Sequence, residues 1–268
     1  MSTYIFDFDG TLADTLPALL AIANDLAPEF GLDPMDEAEF QRWRGLTTQE
    51  ILQEGRVSLW KLPRLIRRVR REQHRIMPEM EMVPGMRAAL LQLKARGESL
   101  GLATSNGSEN IRMFLGNNNL ENIFDFTKCD ISLFGKARVL RRLIQQQGID
   151  PAAAFYVGDE VRDMQAAQQV GLRSVGVSWG FNTAEALRSV RADFVLTDPT
   201  SLLYLPVPLT GEPLAGGSEP DCSEFPGPEQ QSSPLVLSRA VVALVAFWKT
   251  ARYPAPLPPC PAPAVDQA

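Results

Sequence analysis

The chain has one histidine, His74, among 268 residues. That scarcity excludes chemistry built on paired imidazoles, because histidine-pair phosphatases, HExxH metalloproteases and multi-histidine zinc sites all need at least two. Cysteine is nearly as scarce. Cys129, Cys222 and Cys260 lie far apart and form no CxxC, so neither a disulfide framework nor a zinc knuckle is expected, and a reducing, cytoplasmic setting fits. No apolar run reaches the roughly 18 residues of a membrane span. The start MSTYIFDFDG also lacks the basic and apolar regions of a secretory signal, so neither membrane insertion nor secretion is expected. Positive charge is in deficit as well. A net charge of -6 argues against general nucleic-acid binding, and an anionic substrate would need a local cation.

What is present is apolar residue, 45% of the chain, enough for a real core. Composition changes after Leu205. Residues 206–268 hold 13 of the 21 prolines, a composition that resists regular packing and predicts a mostly disordered tail. Inside it, the 14-residue apolar run Leu235 to Trp248 is too short for a span and reads as a poorly structured appendage or a docking helix.

The first 205 residues alternate β-type runs with helical periodicity. Strands are expected at Thr3 to Phe8, Ser99 to Thr104, Ala154 to Val157, Arg173 to Ser178 and Asp193 to Leu196, with a weaker one at Phe124 to Lys128. Helices such as Met86 to Arg96 and Lys136 to Gln147 lie between them, closed by Gly97 and Gly148. The alternation predicts an α/β fold with a doubly wound, mainly parallel sheet. One stretch breaks it. From Asp14 to about Val83 the pattern is helical only, at Leu16 to Ala27, Asp36 to Trp43, Thr48 to Gly55 and Leu62 to Met77. It therefore reads as an inserted α-helical domain joined by two chain crossings, which permits a lid. The expected division is 1–13 with 84–205 as core, 14–83 as insertion and 206–268 as tail.

Ligands of such sheets collect at the carboxyl ends of the strands. The first strand runs into Asp7, Asp9, Gly10 and Thr11, the second into Thr104, Ser105 and Asn106, and a later one into Gly158, Asp159, Glu160 and Asp163. Carboxylates, hydroxyls and glycines converging from separate strands suggest a magnesium and phosphate site, since magnesium takes hard oxygen ligands.

Four ordered segments carry a specific resemblance: D-F-D-G-T (Asp7 to Thr11), L-A-T-S-N-G (Leu102 to Gly107), F-G-K-A (Phe134 to Ala137) and Y-V-G-D-E-V-R-D (Tyr156 to Asp163). They resemble the motifs of the haloacid dehalogenase superfamily over residues 3 to 205, and the insertion resembles its helical cap subclass, which includes phosphoglycolate phosphatases and β-phosphoglucomutase. The resemblance implies a Rossmann-like core with a mobile cap. It also implies that Asp7 is the nucleophile, forming an aspartyl-phosphate, and that Asp9 protonates the leaving alkoxide and then activates water. Thr104 and the Ser105 amide would bind the phosphoryl group, with Ser108 the expected N-cap of the following helix. Lys136 would offset the charge between nucleophile and phosphate, with Lys128 a lesser candidate. Asp7, Asp159 and the Asp9 backbone carbonyl would hold Mg2+, and Asp163 its water shell. Glu160 is adjacent, which does not guarantee a shared face.

Expelling halide needs no proton, whereas expelling alkoxide does, so Asp9 points to phosphoester chemistry. A transport ATPase would carry threonine there. The implied activity is a phosphatase for a small phosphorylated metabolite, of phosphoglycolate phosphatase type. Alternatives are a phosphomutase of β-phosphoglucomutase type and a non-catalytic binding module. In the cap, Arg44, within W-R-G-L-T-T, is a candidate for a substrate carboxylate or second phosphate, against a plain surface arginine. Lys61 to Arg75 holds seven basic residues and His74 and reads as a solvated, salt-bridged helix with His74 on its surface. Trp179 to Asn182 resembles a loop near the site, or a buried aromatic turn. Substrate identity and oligomeric state are not encoded in any motif.

Overall fold

The computed structural model describes residues 1–46, 50, 62–131 and 135–206. The expected helix at Thr48 to Gly55 apart from residue 50, the run at Leu235 to Trp248 and nearly all of the proline-rich tail lie outside those residues. Six strands form one sheet: β1 (Thr3–Phe6), β2 (Ser99–Ala103), β3 (Phe126–Lys128), β4 (Ala154–Gly158), β5 (Arg173–Val177) and β6 (Phe194–Leu196). Their order is β3-β2-β1-β4-β5-β6, and every neighbouring pair is parallel. All six expected strands are therefore present, the weak one trimmed to three residues. Parallel strands need crossovers, and helices cover both faces.

The helices are α1 (Leu16–Phe30), α2 (Glu37–Arg44), α3 (Leu62–Ile76), α4 (Met86–Ala95), α5 (Ser108–Asn117), α6 (Lys136–Gln147), α7 (Val161–Gln168) and α8 (Ala184–Ser189). The period-2 alternation of β1 splits its side chains between two cores. Tyr4 and Phe6 join Leu90, Leu93 and Phe114 on one face. Ile5 joins Leu140, Leu143 and Tyr156 on the other. A third cluster belongs to the helical insertion, where Ile22, Leu26 and Phe30 of α1 meet Trp43 of α2 and Leu65 and Val69 of α3. Each of these helices follows the apolar stripe that its sequence carries. Asp36 caps α2, its carboxylate accepting from the Glu39 amide at 2.8 Å.

The two crossings into the insertion are bonded to each other. Ala13 and Met82 form an antiparallel bridge, the Asp14 amide donates to the Glu81 carbonyl at 3.0 Å, and the Val83 amide to the Leu12 carbonyl at 2.9 Å. The paired crossings form a short two-stranded neck. Among the described residues, no helix is long and apolar enough to cross a membrane.

Candidate active site

The strand order changes direction at β1, whose neighbours β2 and β4 lead away to opposite sides, and the crevice beyond such a point is where ligands of open α/β sheets bind. Asp7 stands at that point, one residue past the end of β1. Its amide donates to the Val157 carbonyl at 2.8 Å, extending the β1–β4 ladder by one bond and aiming the carboxylate over the sheet edge.

Asp7, Asp159 and Asp163, all buried, offer carboxylate oxygens within 4.8 Å of one another. Three carboxylates so close repel. Burial, followed by the charges of Glu160, Asp163 and Asp7, holds the Asp159 carboxyl well above its usual range. Burial pushes Asp163 up to about 6, although Lys136 pulls in the other direction. Lys136 is the one cation placed within this group among the described residues, and it donates to Asp7 Oδ2 at 2.6 Å and to Asp163 Oδ1 at 2.5 Å. Burial pulls its pKa down, yet the Asp163 and Asp7 charges outweigh that and hold it well above the usual lysine value. It opens α6, where the helix dipole disfavours a cation, and its ammonium lies 5.1 Å from the centre of the Tyr156 ring. The unfavourable position is compensated by the carboxylates it serves.

Asp159 is held tightly. Its Oδ2 accepts from the Phe181 amide at 2.7 Å and its Oδ1 from the Thr11 hydroxyl at 3.3 Å. Glycine is required on both sides. Gly10 has a φ of 70°, and a Cβ there would lie 2.2 Å from Asp159 Oδ2; a Cβ on Gly180 would lie 2.2 Å from Asp159 Cβ. Asp163 Oδ2, by contrast, is buried with no hydrogen-bond partner. An orphaned buried carboxylate oxygen beside two other carboxylates is what a hard cation would satisfy, so the donor set fits one.

Asp9 lies apart from that group. Burial first and the Asp7 charge second raise its pKa well above the usual carboxylate value. Asn106 Nδ2 reaches Asp9 Oδ1 at 3.2 Å and Oδ2 at 3.1 Å. Thr104, fully buried, accepts the Asn106 amide on Oγ1 at 3.0 Å. Ser105 beside it is half-buried. The helix that follows is not capped by Ser108: Gly107 is the N-cap, and Asn106 Oδ1 accepts its amide at 2.8 Å. Asn106 thus uses both ends of its amide, the oxygen on the Gly107 amide and the nitrogen on Asp9.

Glu160 is turned away, bound by the Arg162 guanidinium at 2.7 and 2.9 Å. Lys128 is exposed at the end of β3, away from the carboxylates. Arg44 is not among them either. Its guanidinium donates to the carbonyls of Phe181 at 3.0 Å, Gly180 at 2.9 Å and Ser178 at 3.2 Å, so it fastens the insertion to the loop after β5. Asn182 returns the contact, donating to the carbonyls of Arg44 and Leu46, while the Phe181 side chain packs into the cluster of the helical insertion. The Trp179 to Asn182 loop is therefore beside the site, as its resemblance implied. Sequence reading named Asn106 but gave it no role, and missed the Phe181 amide and Thr11 hydroxyl at Asp159. No residue type announces a backbone donor.

Comparison with known proteins agrees with this geometry. The sequence matches the family of haloacid dehalogenase-like hydrolases over residues 4–177. The chain belongs to that family. A phosphoglycolate phosphatase from Synechococcus elongatus is 41% identical over 203 residues, covering 76% of this chain and 96% of that one. Another from Pseudomonas putida is 25% identical, covering 74% and 77%. Among solved structures, a haloacid dehalogenase-like hydrolase from Streptococcus pneumoniae superposes with a TM-score of 0.62 at 20% identity, covering 76% of this chain and 97% of that one. It shares the fold.

Proposed function

We propose that this haloacid dehalogenase-like hydrolase is a magnesium-dependent phosphatase that hydrolyses a small phosphorylated metabolite through an aspartyl-phosphate, with phosphoglycolate the first candidate. It is a phosphoric monoester hydrolase. The observation that carries this reading is the contrast between two aspartates two residues apart. Asp7 is ion-paired with Lys136 and grouped with carboxylates, whereas Asp9 is buried, receives amide donors and has a pKa raised above the ordinary carboxylate value. Two carboxyl groups in such unlike surroundings can divide the roles of nucleophile and acid.

An Asp7 oxygen attacks phosphorus, the bond from phosphorus to the ester oxygen breaks, and Asp9 delivers its proton to the departing alkoxide. Asp9, now a carboxylate, takes a proton from water as that water attacks the phosphoryl group. The bond to Asp7 then breaks, restoring the carboxylate and releasing phosphate. Thr104 and the Ser105 amide orient the phosphoryl oxygens, and Lys136 offsets the repulsion between Asp7 and the anionic substrate. Mg2+ held by Asp7, Asp159 and the Asp9 carbonyl, with Asp163 on its water shell, would neutralise phosphoryl charge.

Arg44 is proposed as a residue of the cap face that selects the substrate, acting through the loop it grips. The helical insertion 14–83 acts as the cap and 1–13 with 84–205 as the catalytic core. The scattered cysteines suit a cytoplasmic site of action. Neither a mutase nor a binding module draws support comparable to the phosphoglycolate phosphatase from Synechococcus elongatus. A panel of phosphorylated small metabolites, assayed for free phosphate with Mg2+ and with chelator, tests the reading. Phosphate release that depends on Mg2+ is expected; isomerised sugar phosphate without free phosphate would point to the mutase.

A further inference from the structure

The chain's one histidine lies on α3 of the insertion, yet its ring reaches the sheet domain. His74 Nδ1 is 2.7 Å from Asn110 Oδ1. Asn110 Nδ2 donates to Asn106 Oδ1 at 2.9 Å, and Asn106 Nδ2 faces both oxygens of Asp9. The direction of this series is set by one backbone group. The Gly107 amide donates to Asn106 Oδ1, so that atom is the oxygen and the amide nitrogen faces Asp9. Asn110 must then turn its nitrogen to Asn106 and its oxygen to His74, which makes His74 Nδ1 a donor. Every donor points towards Asp9, and each bond polarises the next.

We propose that His74 is a positioning residue for the acid-base step: seated against α5, it orients Asn110, which fixes the Asn106 amide on Asp9. The insertion thereby contributes to proton transfer without touching the reacting atoms. Asn106 has two amide orientations, and only one gives Asp9 donors on both oxygens. With the imidazole holding the Asn110 oxygen, the wrong orientation would set the Asn106 amide nitrogen against that of Asn110 and its oxygen against the Asp9 carboxylate. The catalytic part of this proposal rests on Asp9 being the acid and base; the hydrogen-bonded row does not.

The test uses the full chain with Mg2+ and a phosphomonoester that the wild type hydrolyses, in His74→Ala, His74→Asn, Asn110→Ala and the His74→Ala, Asn110→Ala double variant. His74 is exposed, so its replacement leaves the core intact. Loss of one positioning hydrogen bond predicts a kcat for His74→Ala lowered roughly threefold to tenfold, with KM unchanged. His74→Asn, whose amide nitrogen overlies Nδ1, restores most of the rate. In the Asn110→Ala background the histidine substitution has no further effect. Independently of turnover, the NMR signals of the Asn106 side-chain amide shift in His74→Ala and stay in place in Arg71→Ala, a control on the same helix. An unchanged kcat, additive effects, an asparagine variant no better than alanine, or unmoved Asn106 signals would overturn the proposal. A wild type inactive on every phosphomonoester would instead overturn the assigned function, and the amide signals would still decide the row.

Discussion

Positive charge is used in opposite ways in the insertion and at the top of the sheet. On α1 and α3, Arg64, Arg68 and Arg75 pair with Glu29 and Glu72 at 2.9 to 3.1 Å, but in contact with water; the Arg64 side chain is 70% exposed. At the sheet, Lys136 is 5% exposed and bridges Asp7 and Asp163 at distances no less favourable. Distance alone does not rank these pairs. Water screens the first set, and each arginine is replaceable by solvent, whereas removing the lysine takes from two buried carboxylates the cation hydrogen-bonded to both and leaves only the longer-range charge of Arg162. The arginines make a surface, and the lysine makes a site.

The largest effects should fall where charge is buried and used. Asp7→Asn removes the attacking oxygen's charge and should abolish phosphate release in a discontinuous phosphate assay. Asp9→Asn keeps the shape but has no proton to give, and kcat should fall by about 10²- to 10⁴-fold, the range of general acid-base catalysis. A burst of aspartyl-phosphate without its hydrolysis would show that the leaving group departs unaided and that Asp9 serves only the second step. Lys136→Met should come next. Breaking a buried pair costs about 3–5 kcal/mol, read from urea unfolding at pH 7.5. The loss should shrink at pH 5, where Asp163, with its pKa pushed up to about 6, takes a proton and needs no partner.

The difference between the two regions also explains what the sequence disclosed. Asp7, Asp9, Lys136 and Asp159 were legible because each occupies a fixed step after a strand or at the start of a helix, and the backbone of a parallel sheet delivers those steps to one edge. The central strands β1, β2, β4 and β5 were legible because burial on both faces leaves apolar runs, whereas the edge strands β3 and β6 are only partly buried. Contacts across the domain boundary were not. Arg44 gripping three carbonyls and His74 meeting Asn110 depend on how the insertion seats on the core, and 36 residues separate His74 from Asn110. Nothing local in either segment encodes that approach. The capping of α5 was misassigned to Ser108 because a serine before a helical run is the usual signal, and Asn106 had no visible second duty.

A smaller effect follows from the carboxylates themselves. Asp159, Asp9 and Asp163 all hold protons more tightly in the folded chain than in the unfolded one. From the ordinary carboxylate value of about 4 up through the raised values, near 6 for Asp163, the folded state binds more protons. Stability therefore falls as pH rises through that window in the absence of metal. A divalent cation binds the deprotonated cluster and opposes the fall. Thermal unfolding followed with and without Mg2+ should give a larger rise in Tm at pH 8 than at pH 5. An equal rise at both would mean that the cation does not sit among these carboxylates.

The smallest effect should be Arg68→Ala. Arg68 donates to Glu29 and Glu72, so it is among the most connected cations of the insertion, and a count of ion pairs would rank it level with Lys136. Its partners remain solvated when it is removed, and no charge is left buried. The urea midpoint and kcat should both match the wild type, and added salt should make no difference between the two proteins. A drop in kcat with an unchanged midpoint would show that the outer charges of the insertion guide an anionic substrate to the crevice, and the division between surface and site would have to be redrawn to include α3.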